Sequence, residues 1–285
     1  MLKTEFSRRN SAVAGIFYPR DPRELAAKID NLLATAQVIF GPGNLQILLV
    51  PHAGIDYSGA VAAAGFKQVQ KKCFTKIILL GASHYHWFNY AAIFPPGIWE
   101  TPLGEVKIAK ETVNKIVNEK EKIVFDPLPH REEHCLEMEL IFLQKALSNF
   151  QIAPILLSQA EENLIESLAK KIASLLDSQT LLVISSDLSH YPNFVIANKV
   201  DRQTISAILT GKKEIFEQTL QKLENHPYPN LDTCACGESA IRVGLRVAEI
   251  SKNVVFKKIK YTNSGEVTGE KNRVVGYAAI GGWKI

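Results

Sequence analysis

Short apolar runs alternate with amphipathic stretches along nearly the whole chain. Gln46 to Val50, Lys76 to Leu80, Ile152 to Leu157 and Thr180 to Ile184 have the length and continuity of buried strands. Tyr90 to Phe94 is a shorter strand candidate, and Val254 to Tyr261 and Val274 to Ile280 read as the last strands. Helical spacing appears first in Leu25, Ile29, Leu32 and Leu33, behind Asp21 as cap, Pro22 in the first turn and Glu24 at capping-box distance. Further helices are predicted over Glu133 to Leu147, Asn163 to Leu176, Asn198 to Leu209, Lys213 to Leu223 and Gly237 to Ile250. Gly41 to Asn44, Asn225 to Asp232 and Asn263 to Asn272 carry the residues of loops. This alternation predicts an α/β fold built of βαβ units, with a mostly parallel sheet flanked by helices. No repeat or linker divides the chain, so residues 1–285 read as a single domain.

Composition narrows the picture. With 33 basic and 29 acidic residues the net charge is +4, and no dense Lys/Arg block occurs, which argues against nucleic acid as a partner. Lys115 to Lys122 mixes both signs and reads as a solvated helix face. Four cysteines in 285 residues are no disulfide framework, and a reducing compartment fits them. Cys73, after two lysines, reads as surface, and Cys234 as packing. The opening MLKTEFSRRN lacks the apolar core of a secretory signal, and no run has the length of a membrane span. A cytoplasmic protein with no membrane partner is expected. Oligomeric state is not legible.

Chemistry enters at the strand ends. Three strand candidates are each followed within a few residues by a histidine: His52, His84 and His190. In open α/β sheets ligands bind outside the carboxyl ends of the strands. One such histidine is commonly structural; three together point to a site. His84 and His86 would share a face only in a strand, and Trp87 and Phe88 beside them offer His86 a stacking role instead. Asp187 stands three residues before His190. It can orient that histidine, ligate a metal, or cap a helix beginning near Leu188. Cys236 precedes a predicted helix whose dipole favours the thiolate, although a small buried residue is the plainer reading of a cysteine there. His134 and Glu137 form an H-x-x-E pair on a mostly buried helix, suiting either an acid/base pair or a structural carboxylate bonded to a loop backbone. There is no G-x-G-x-x-G, no Walker A loop and no G-x-S-x-G elbow.

The ordered motifs resemble one family. Ala12 to Pro19, Val50 to Gly54 with Tyr57-Ser58-Gly59, Leu80-Gly81 with Ser83-His84, and Glu100 to Gly104 resemble the Memo-like family. So do Glu133-His134 with Leu136-Glu137, Ser185 to His190, Cys236-Gly237, Tyr261 to Gly265 and Arg273 to Ala279. Prokaryotic members are also called AmmeMemoRadiSam system protein B. The resemblance implies a fold similar to class III extradiol dioxygenases and a metal pocket holding iron or copper. Its ligands would be His52, His84 and Cys236, with Asp187 and His190 beside them. Ala82 stands where the family often has proline, Ile55 where an aromatic is common, and Cys135 where serine is usual.

Three functions are open to such a chain. The first is a metal-binding protein with redox chemistry, using Fe(II) or Cu, with Zn also suited to the ligands. The second is an extradiol-type dioxygenase with Asp187 as the anionic ligand and His190 or His134 as base. The third is a non-enzymatic protein that binds a partner or peptide, suggested by animal relatives associated with cell-motility signalling. A small molecule or peptide in the metal pocket is the expected ligand.

Overall fold

A computed structural model describes residues 7–39, 41–70 and 72–285; the opening residues 1–6, on which the reading of the N-terminus partly rests, lie outside it. In chain order its elements are β1 (Ser7–Arg9), α1 (Pro22–Thr35), β2 (Asn44–Val50), α2 (Ile55–Lys67), β3 (Lys76–Ala82), β4 (Ala91–Ile93), β5 (Gly97–Thr101) and β6 (Gly104–Lys107). There follow α3 (Lys110–Ile116), β7 (Ile123–Phe125), α4 (Cys135–Ala146), β8 (Gln151–Leu157), α5 (Glu162–Leu175) and β9 (Thr180–Ser185). The last are α6 (Phe194–Leu209), α7 (Lys213–Glu224), α8 (Glu238–Ser251), β10 (Val254–Asn263), α9 (Ser264–Thr268) and β11 (Gly276–Lys284).

One large sheet runs β10-β11-β2-β9-β3-β8-β4-β7, and a small one runs β1-β5-β6. At its centre β2, β9, β3 and β8 are parallel neighbours. The pairings of β10 with β11, β11 with β2, and β4 with β8 are antiparallel. The α/β architecture with a mostly parallel sheet is thus realised in the middle, with antiparallel pairings on either side of it and a parallel β4-β7 pair at one edge. The central strands are almost wholly buried, which is why they read as continuous apolar runs rather than alternating ones. The helices α1, α2 and α4 pack on one another, α4 also against β3, while α5 packs on α8, which covers β3 and β9.

Local chemistry fixes the element ends. Asp21 Oδ1 accepts the N–H groups of Arg23 and Glu24, both at 2.9 Å, and so caps α1. Several predicted boundaries move. Lys115 to Lys122 is not a helix face: α3 stops at Ile116, and Asn118 and Ile123 exchange backbone bonds of 2.8 and 3.1 Å around a tight turn closed by Lys122 at φ 57°. The loop predicted over Asn263 to Asn272 contains α9, begun by Asn263, whose Oδ1 accepts the Glu266 N–H at 3.1 Å, and ended at Gly269 with φ 84°. Among the described residues no helix is long and apolar enough to cross a membrane.

Candidate metal centre

Because β2, β9 and β3 lie side by side and point the same way, the segments that follow them meet. These segments carry His52, Asp187 and His84. Pro51 ends β2 without offering an N–H, and the Ser186 N–H donates to Val50 O at 2.9 Å, tying the turn after β9 to the end of β2. Cys236 arrives from the other side of the chain, two residues before α8. Gly237 allows this: a Cβ there would lie 2.7 Å from Ser186 Cβ and 2.8 Å from Ser185 O. Its N–H donates to Ser186 Oγ at 2.9 Å.

The donor atoms of His52, His84 and Cys236 all lie within 4.8 Å of one another. His52 Nε2 is 3.3 Å from Cys236 Sγ. Its other nitrogen, Nδ1, is 2.8 Å from Ser185 Oγ. His84 Nδ1 is 2.9 Å from Glu133 Oε1, and the His84 backbone N–H donates to Glu133 Oε2 at 2.6 Å. Each imidazole is therefore gripped by one nitrogen and offers the other to the centre, the arrangement found in histidine metal ligands. Two such nitrogens and a thiolate are a donor set for a soft or borderline transition metal. His52 is buried, whereas a quarter of the His84 side chain is exposed, so the centre opens on the His84 side.

The charges reinforce one another. Burial alone would push the Cys236 thiol up; the charge of the His52 imidazole, with His190 and His84 close by, outweighs it and holds the thiol well below its ordinary value. Burial opposes charge on His52, but Cys236 and Asp187 raise it to about 9. The same desolvation on His84 is overcome by Cys236 and Glu133, which raise it to about 10. His134 goes the other way, to about 3, because burial and the neighbouring His52 both disfavour its charge.

Asp187 does not join the donors. Its Oδ1 accepts the His52 backbone N–H at 2.9 Å, and its Oδ2 is 4.0 Å from His190 Nε2. Nor does it cap a helix near Leu188: residues 188–193 form no helix, and α6 begins only at Phe194, capped by Asn193. The Asp187 N–H instead donates to Cys236 Sγ at 3.3 Å, so this segment stays extended to serve the thiolate. His190 flanks the cluster. His134 stacks against it, with ring centroids 4.6 Å from His84 and 5.3 Å from His52. Its Nδ1 lies 3.2 Å from Glu133 Oε1 but out of line for a hydrogen bond. His86 sits in the loop after β3, where the H-x-H spacing confers no common face, and its N–H donates to Ser83 Oγ at 3.3 Å.

His134 and Glu137 do not form a pair. Glu137 turns away and accepts from Arg9 at 2.7 Å and from the backbone N–H groups of Ala12 and Val13 at 2.8 and 3.2 Å. It is a buried structural carboxylate holding the N-terminal segment. Glu133, placed inside a helix by the sequence pattern, precedes α4 and also gathers the N–H groups of His134 and Cys135 at 2.9 and 3.0 Å. Glu133, Ser185 and Glu139 were missed as site residues. A signal was available for Glu139: like Glu137, it is a carboxylate among the apolar residues of α4, where it must be paired or protonated.

Residues 9–281 match the family model described as Memo-like protein. A MEMO1 family protein of Thermoplasma volcanium is 32% identical over 274 residues, covering 95% of this chain and 97% of that one. A second, from Nitrosopumilus maritimus, is 32% identical with 95% and 98% covered. A third, from Methanocaldococcus jannaschii, is 32% identical with 95% and 97% covered. Among solved structures, an uncharacterized protein from Escherichia coli K12 aligns with a TM-score of 0.48 at 10% identity, covering 84% of this chain and 99% of that one.

Proposed function

The chain belongs to the Memo-like family, and on that footing we propose that His52, His84 and Cys236 hold one metal ion, Fe(II) or Cu first and Zn also compatible, and that the protein performs redox chemistry on a small molecule or peptide admitted on the His84 side. The observation that carries this is the double grip on the imidazoles. Ser185 and Glu133 occupy the Nδ1 atoms, and the thiolate stands opposite the free nitrogens. A bound redox metal would supply one-electron chemistry that no side chain here can supply. The chain's own residues bind, orient and exclude water. His134 stays neutral across the ordinary pH range, because burial and the neighbouring His52 disfavour its charge. Asp187 keeps the turn after β9 in place and aims its own N–H at the thiolate.

The thiolate favours this reading over extradiol ring cleavage, which prefers a carboxylate beside two histidines. Asp187, held at Oδ1 by the His52 N–H, stands outside the group of donor atoms formed by His52, His84 and Cys236. The test is elemental analysis of tag-free protein purified without chelators, then anaerobic reloading with Fe(II) or Cu. A single tightly held ion per chain, lost in Cys236→Ala and in His84→Ala, is the expected result. An ion retained in Cys236→Ala but lost in Asp187→Ala would overturn it and favour the dioxygenase.

A further inference from the structure

Behind His52 the structure holds a second buried carboxyl that no ligand accounts for. Glu139, on α4, has Oε1 2.6 Å from Ser185 Oγ, and its Oε2 is buried without a partner. Ser185 Oγ in turn stands 2.8 Å from His52 Nδ1 and 3.1 Å from Cys135 O. A hydroxyl has one hydrogen and two lone pairs. Cys135 O can only accept, and as a carboxylate Glu139 can only accept as well. As a carboxylic acid Glu139 can turn its own O–H on Ser185. With Glu139 ionised, Ser185 gives it that hydrogen, a lone pair of Ser185 faces His52, and His52 donates from Nδ1; with Glu139 protonated, the Ser185 hydrogen can go to Cys135 O or to His52 Nδ1.

We propose that Glu139, as a carboxylate, is a positioning residue for His52, acting through Ser185 to keep the proton on Nδ1 and leave Nε2 bare toward Cys236. This rests on the reading of His52 as the metal-facing imidazole, because a bare Nε2 is what a metal requires. Without Glu139, Ser185 is free to donate to Nδ1, and the ring can move its proton to Nε2, the wrong side for a ligand. Glu139 touches neither metal nor substrate.

Two measurements separate this proposal from the one beneath it. The first needs no metal. Nitrogen-resolved NMR of the imidazoles in metal-free protein, above the pH at which His52 loses its charge, reports which ring nitrogen keeps the proton. Wild type and Glu139→Gln, whose amide oxygen still accepts from Ser185, should carry it on Nδ1. Glu139→Leu should carry a substantial share on Nε2, and Ser185→Ala, a smaller change should the leucine variant fail to fold, should do the same. The second is anaerobic titration with Co(II), read by its thiolate charge-transfer band. Glu139→Leu should bind about tenfold more weakly than wild type, with Glu139→Gln close to wild type. If wild type shows no thiolate band, the metal reading fails, and the proton's position still decides the role of Glu139. If Glu139→Leu and Ser185→Ala both keep the proton on Nδ1 as wild type does, the positioning role is wrong, whatever the metal result.

Discussion

At the scale of single residues, Cys236 differs from the other thiols by environment alone. Cys135 and Cys234 are buried, and burial pushes both up, whereas the imidazoles around Cys236 hold it in the thiolate form. In metal-free protein we expect Cys236 to alkylate at a nearly constant rate from pH ~8 down to pH ~6, whereas a small free thiol added as a reference slows about tenfold per unit. Mass-spectrometric mapping of the labelled thiols checks this; a Cys236 that slows in step with the reference thiol would show that the imidazoles do not govern it. Bound metal should silence Cys236 and leave Cys73 untouched.

At the scale of elements, the centre depends on how closely α8 seats on the end of β9. Gly237→Ala puts a methyl group against Ser186 Cβ and Ser185 O, the second a backbone atom that cannot swing aside. We expect a stability loss of about 1–3 kcal/mol, ordinary for overpacking, with weakened metal binding as the thiolate is displaced. Urea unfolding and Co(II) titration measure the two effects. The same dependence explains how far the sequence could be read. Periodicity located the central strands within a residue or two, because strands buried on both faces leave unbroken apolar runs, and it located α1, α5 and α7 because each keeps one apolar stripe. It missed β1, β5, β6 and β7, three to five residues each, too short to carry a period. Strand-end histidines flagged His52 and His84, whereas the placing of Cys236 beside them came from the family resemblance. The partners that grip the imidazoles were hidden, because Glu133 and Ser185 act across 49 and 133 residues of sequence.

At the scale of the whole molecule, buried carboxyls tilt the pH dependence of stability. Burial pushes Glu139 up from 4.5 to about 8 and Asp201 up from 3.8 to about 6. Both pKa values are raised on folding, so each contribution is complete below the unfolded pKa and is lost as pH rises through the folded one. Wild type should therefore weaken between pH ~4.5 and pH ~8 by the share belonging to Glu139. Glu139→Gln carries no such titration and should overtake wild type across that window, by up to about 5 kcal/mol above pH ~9. Urea midpoints at the two ends of the range measure it; a constant difference would mean Glu139 ionises freely in the fold. The sheet order has another consequence. β9 is seated between β2 and β3, and Cys236 lies 184 residues beyond His52. A chain emerging from the ribosome therefore displays both imidazoles long before the strand that separates them, or the thiol that faces them, has been synthesised. Closing a loop of that length comes late in folding. A chain that ends before Cys236 presents two histidines with no thiol opposite them, and the three donors meet only once that residue is in place.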